Sequence, residues 1–93
     1  MENVKFLGAK ASAYDFKNDK GVQVKGTSYK IFIGREIDEK DGTGLYPDNF
    51  KVDYEVYKDF IDNVGYGSDI EISYEKAYDR YGNPKNFLTG YNF

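Results

Sequence analysis

The sequence predicts a mainly β fold, a small five-stranded Greek-key barrel with one short helix, and three observations carry the prediction. Apolar and polar residues alternate with a period of two in several short stretches, as half-buried strands require. Glycine, asparagine and aspartate punctuate those stretches and supply the turns that antiparallel strands need. A single stretch before the last two strands carries apolar residues at helical spacing.

Residues 4–6 and 9–16 read as the opening strand, with Ala9, Ala11 and Ala13 on one side and Lys10, Ser12, Tyr14 and Phe16 on the other. The run Lys17-Asn18-Asp19-Lys20-Gly21 closes it, using residues that tolerate positive φ. Residues 22–34 form the second strand, where Tyr29, Ile31 and Ile33 share one face and Lys30 and Phe32 the other. Residues 36–44 are a polar loop, and Pro47, which lacks an N–H, argues against a strand before Phe50.

Residues 50–64 show both periods. Phe50, Val52, Tyr54 and Val56 alternate, while Val52, Val56, Phe60 and Val64 fall four apart, so a strand turns into a short helix over about residues 55–63. Gly65 or Gly67 stops that helix. Ile70, Ile72 and Tyr74 open the fourth strand, which runs to Tyr78, turns over residues 79–83 and returns as residues 86–91. No repeat, low-complexity run or linker interrupts residues 1–93, so they make one domain, and its element order is OB-fold-like.

Composition removes several function classes. A chain of 93 residues builds one core and no deep cleft between lobes. It has no Cys and no His, which excludes thiolate chemistry and removes the commonest general base and neutral metal ligand. Aligning Gly42 with the glycine of a calcium loop puts Ile37 at the first ligand position, so the acidic run 38–42 reads as a solvated loop. Asp53, Glu55, Asp59 and Asp62 read as an exposed face, and no phosphate-cradling Gly-rich loop occurs. The expectation is a binding module, not an enzyme, with no cofactor and no metal. The N-terminus lacks an apolar signal core and no stretch is long enough for a membrane helix, so a cytoplasmic protein without a membrane partner is expected.

Ten Tyr and seven Phe exceed what so small a core buries, so some rings face solvent. The net charge of −3 is unevenly spread. Residues 1–30 carry six Lys against three acids, residues 31–72 four bases against eleven acids, and residues 73–93 three bases against two acids. The two glycine-aromatic patches, Gly26-Thr27-Ser28-Tyr29-Lys30 and Tyr78-Asp79-Arg80-Tyr81-Gly82-Asn83-Pro84-Lys85, lie in or beside the basic ends. Tyrosine beside Lys or Arg suits base stacking combined with phosphate neutralisation. Tyr29 is open to two readings, base stacking or core packing with Ile31 and Ile33; Tyr78 is equally open, whereas Tyr81 at a hairpin tip has little core to enter.

From Lys10 onward the chain resembles the filamentous-phage helix-destabilising proteins. The resemblance lies in Gly26-Thr27-Ser28-Tyr29 before an alternating strand ending at Gly34, in Tyr46-Pro47, in Gly67-Ser68-Asp69-Ile70-Glu71-Ile72-Ser73-Tyr74 and in the hairpin tip Tyr81-Gly82. It covers about four fifths of the chain in order and spacing, at low identity. It implies a dimeric single-stranded-DNA binder in which Tyr29 and Tyr81 stack on bases, with Lys20 and Lys25 near basic positions of the first hairpin. The acidic run from Glu36 to Asp41, the helix and the longer connection over residues 50–64 depart from the family and bear on its dimer interface.

The expected function is sequence-independent binding of single-stranded DNA by a homodimer from a phage or mobile element. Tyr14, Phe16, Tyr29, Tyr78 and Tyr81 are the candidate stacking rings, and Lys20, Lys25, Lys30, Arg80 and Lys85 the candidate phosphate contacts. A second reading, from another class, is an anti-CRISPR-like inhibitor whose acidic surface mimics DNA and whose partner is a host defence protein.

Overall fold

The alternating stretches fold as five antiparallel strands, β1 (Glu2–Lys17), β2 (Gln23–Glu36), β3 (Leu45–Val52), β4 (Asp69–Tyr78) and β5 (Pro84–Asn92), with one helix, α1 (Tyr54–Asn63), between β3 and β4. The structure is a computed structural model that describes residues Met1–Phe93. The strands form one sheet in the order β3-β2-β1-β4-β5. β3 and β5 lie at opposite edges of that order, yet their Cα atoms approach within 8 Å, so the sheet curls strongly. No backbone hydrogen bond joins them, and the sheet is not closed.

Two bulges let each strand keep its apolar residues on one side. β1 shifts register between Phe6 and Gly8, leaving Leu7 as an extra residue, so Phe6 opposes Ile33 and Ala9 opposes Ile31 on the same face. Residues 7 and 8, left out of the opening strand by the sequence pattern, therefore lie in a bulge within it. The shift between Ser73 and Tyr74 skips Thr89 on β5, which brings both Tyr91 and Leu88 to the inner face opposite Ile72 and Tyr74.

The core consists of Val4, Phe6, Ile31, Ile33, Phe50, Phe60, Ile70 and Ile72. Phe60 is the helix's contribution and lies fully buried against Phe6, Tyr91 and Phe93 at ring-centroid distances of 5.3, 4.9 and 5.2 Å. The helix starts where Asp53 accepts a hydrogen bond from the Val56 N–H at 2.9 Å, an N-cap that answers one of the free donors of the first turn. Val56 and Val64 pack beside Phe60 on the core face, as their spacing requires. At the far end of the sheet Arg35 ties three strands together, through Glu2 on β1 at 2.7 Å and Asp48 on β3.

One expectation changes, and one question the sequence left open is answered. β3 begins at Leu45, with Pro47 inside it opposite Gly34; the proline is tolerated because β3 is an edge strand and one of its flanks needs no donor. The face of β2 that carries Tyr29, Ile31 and Ile33 is the inner one, and Lys30 points outward.

Candidate nucleic-acid interface

Directly opposed residues of an antiparallel pair share a face. Lys10 on β1 opposes Lys30 on β2, and Lys30 opposes Lys51 on β3, so three lysines stand in one row on the outer face. With strands about 4.8 Å apart, the row is about 10 Å wide at the backbone. None of the three has a carboxylate within ion-pairing distance. Because β3 and β5 approach each other, Lys30 and Lys51 share a groove of about 640 Å³ with Lys85 and Phe87 of β5. Phe87 leaves about half of its surface exposed there.

The β4–β5 turn borders this groove through Asp79, while the β1–β2 turn lies farther out at the end of the first hairpin. In the β4–β5 turn Asp79 accepts from the backbone N–H groups of Tyr81 and Asn83, each at 2.9 Å, and Gly82 adopts φ +80°. Those bonds, from Asn83 and then Tyr81, hold the Asp79 carboxyl below its usual pKa, so it is ionised and committed to the turn. Lys85 lies 3.9 Å from it. The turn presents Tyr78 and Tyr81 three-quarters exposed, with the Arg80 guanidinium 5.0 Å above the Tyr81 ring.

In the β1–β2 turn Asn18 accepts from the Lys20 and Val22 N–H groups and Gly21 takes φ +75°, which fixes Lys20 at the tip. The hairpin runs on beyond β3 and β4, giving the molecule its 50 Å long axis. Its outer face carries Tyr14 and Phe16, rings 6.1 Å apart and both exposed. Tyr14 lies across Gly26, where a side-chain carbon would overlap the ring; the glycine makes room for it.

The candidates thus separate. Tyr14, Phe16, Lys30 and Lys85 lie on the outer face, Tyr78, Arg80 and Tyr81 at the second turn, and Lys20 at the first. Tyr29 lies on the inner face, packed against Tyr57 and Tyr54 of α1 at 4.9 and 5.4 Å. Lys25 shares that inner side, opposite Asp15. Lys10, Lys51 and Phe87 were not among the sequence candidates. Alternation already put Lys10 beside Tyr14 and Phe16, but its match with Lys30 and Lys51 is a matter of register between strands.

The acids are used differently from the lysines. Asp53 caps α1, Asp59 accepts from the Tyr91 hydroxyl at 2.7 Å and from Asn63, Asp69 pairs with Lys5, and Glu2 and Asp48 hold Arg35. No group of three or more carboxylates is arranged to hold a metal ion, and no helix is long and apolar enough to cross a membrane. Comparison with protein-family models, curated proteins and solved structures finds no match.

Proposed function

We propose that the chain binds single-stranded DNA without regard to base sequence, along the outer face of β2 and β3 between the two hairpin turns. The row Lys10–Lys30–Lys51 carries this reading. Like charges directly opposite one another destabilise a sheet, and these three lack neutralising partners, so the arrangement is useful when phosphates supply the counter-charge. Lys85 extends the row, and Phe87, Tyr81, Tyr14 and Phe16 provide stacking surfaces beside it.

The strand order, the helix between β3 and β4 and the approach of β3 to β5 support a Greek-key barrel of the oligonucleotide-binding kind. In that architecture the face of strands 2 and 3 and the loops joining strands 1–2 and 4–5 make the binding surface, the same surface the lysine row marks here. β1 is paired by β4 only over its first residues, which leaves the edge over residues 9–17 free to meet a second copy in a homodimer. Action in a host cytoplasm, for a phage or mobile element, follows from the resemblance alone.

The DNA-mimic reading is less well supported, because five of the eleven acids of residues 31–72 already serve the fold: Asp38, Asp48, Asp53, Asp59 and Asp69. Titration with an oligo-dT strand and with a duplex of equal length, followed by tyrosine fluorescence, separates the readings. Quenching by the single strand alone supports the proposal, and silence toward both at low salt refutes it.

A further inference from the structure

We infer that the lysine row is completed by a second copy of the chain: the two copies pair along the free edge of β1 about a two-fold axis through Ala13, and Phe16 of the second copy stands beside Lys10 as a stacking ring. The inference rests on the single-strand reading above and names what the partner contributes to that site.

Within one copy the row carries a ring at one end only. Phe87 shares the groove with Lys51, Lys30 and Lys85. Beyond Lys10 the sheet ends, because β4 pairs with β1 only as far as Lys5. Phe16 of the same chain lies six residues farther along β1, about 20 Å away at the rise of an extended strand. A ring and an ammonium group that hold the base and phosphate of one nucleotide have to be neighbours.

The free edge fits a second copy of itself. Ser68 and Gly67 bond to the backbone of Phe6, and from residue 9 onward β1 is paired on its β2 side alone. β3 in turn leaves β2 at Tyr29, so residues 12–17 and 23–28 form a two-stranded ribbon, which is marginal in water without a further strand. Directly opposed residues share a face, so two antiparallel copies keep their outer faces together only when the axis passes through a residue. An axis through Ala13, the midpoint of residues 9–17, pairs the whole edge, and every other axis pairs less of it.

That register sets Phe16 opposite Lys10, Tyr14 opposite Ser12, Asp15 opposite Ala11, Lys17 opposite Ala9 and Ala13 opposite itself, each pair joining one copy to the other. No like charges meet. Tyr14, which already leans across Gly26 toward β2, meets only a serine. Lys17 comes to the side of the sheet that carries α1, where residues 53–62 hold four carboxylates against one lysine. Phe16 of the second copy lies one strand spacing, about 5 Å, from Lys10 at the backbone, within reach of a cation–π contact. The row then runs Phe87, Lys51, Lys30, Lys10 and Phe16 of the second copy, with a ring at both ends, and the two-fold axis makes two such rows.

The chain has no cysteine, so Ala13→Cys puts a single thiol on the axis. Directly opposed Cα atoms are about 4.5–5.5 Å apart, within the span of a disulfide, whereas the thiols of Ala11→Cys would be about 14 Å apart along the strand. Mild oxidation is expected to link the Ala13→Cys variant into a dimer that keeps its oligo-dT affinity, and to leave Ala11→Cys unlinked. Phe16→Ala and Lys10→Gln are then titrated with oligo-dT singly and after refolding together. Each alone should bind more weakly, Phe16→Ala by about tenfold as loss of one stack predicts. The mixture should gain a class of sites with wild-type affinity, because a mixed dimer joins the intact Lys10 of one chain to the intact Phe16 of the other. An Ala13→Cys variant that does not link, a mixture that shows only the weakened affinities, or a wild type that binds as a monomer overturns the composite site and leaves the single-strand reading intact. A wild type that binds no strand overturns both.

Discussion

Lys30 on β2 stands directly opposite Lys51 on β3, and Lys10 faces Lys30 from the other side. A sheet optimised for stability alone places opposite charges or hydroxyls at such positions. The eleven acids of residues 31–72 include Asp48, Asp53 and Asp59, close in sequence to Lys51, yet these three serve the Arg35 cluster, the helix cap and the Tyr91 hydroxyl. The lysine row is the place where the fold gives up stability, and a functional surface is where that is expected.

Neutralising one of these lysines should therefore move stability and affinity in opposite directions. Lys30→Gln is expected to raise the unfolding free energy by a few tenths of a kcal/mol, since it relieves two like-charge contacts. The same change should weaken oligo-dT binding and make its salt slope shallower by about 0.7. Urea denaturation and salt-dependent titrations check both signs. Lys76→Gln, at a position outside the groove, serves as the control.

The aromatic residues divide by face. Phe87→Ala and Tyr81→Ala should each weaken single-strand binding by about 1–3 kcal/mol, the range for loss of a stacked base. Tyr29→Leu, which removes the ring but keeps an apolar side chain, should leave the affinity of the folded variant unchanged, because that ring packs against Tyr54 and Tyr57 on the inner side. Equilibrium titration of the three variants ranks them, and a large loss on Tyr29→Leu with the fold intact would place the strand on the wrong face.

Tyr91 gives a pH signature. Its hydroxyl donates to Asp59, and this bond, with burial second, pushes its pKa from 10.0 up to about 12. The neutral form is the one the fold favours, so the contribution is complete below pH 10 and is lost as pH rises from 10 through about 12. Absorbance titration at alkaline pH should show one late-ionising tyrosine, absent in Tyr91→Phe and shifted to lower pH in Asp59→Asn. Stability of the wild type should fall more steeply above pH 10 than that of Tyr91→Phe.

Phe60 is the fully buried anchor of the helix and Asp53 its N-cap. Phe60→Ala should cost about 3–5 kcal/mol, because the ring is fully buried against three aromatic neighbours. Asp53→Ala should cost about 1 kcal/mol through loss of the N-cap. Thermal or urea unfolding distinguishes the two sizes.

Much of the backbone was legible because periodicity and turn chemistry are local. The helix expected over residues 55–63 spans Tyr54–Asn63, and both hairpin turns lie where Asn, Asp and Gly cluster. One local signal misled: Pro47 looked like a breaker because nothing in the sequence marks β3 as an edge, and the bulge at Leu7 had no signal beyond the shift in alternation. The candidate site was less legible. Tyr29 and Lys30 are neighbours, so one of them had to face inward, and only the packing of α1 shows which. Lys10, Lys51 and Phe87 are far apart in the chain, and strand register together with the curl of the sheet brings them to one surface.

The most direct test of the lysine row is the salt dependence of oligo-dT affinity, measured for the wild type and for the Lys10→Gln/Lys30→Gln/Lys51→Gln variant. Four phosphate contacts, the three unpaired lysines and Lys85, which exchanges its ion pair with Asp79 for one, predict a slope of log K against log salt of about −3 for the wild type and about −1 for the variant. A variant that keeps the wild-type slope, or a wild type that does not bind at low salt, would contradict the account.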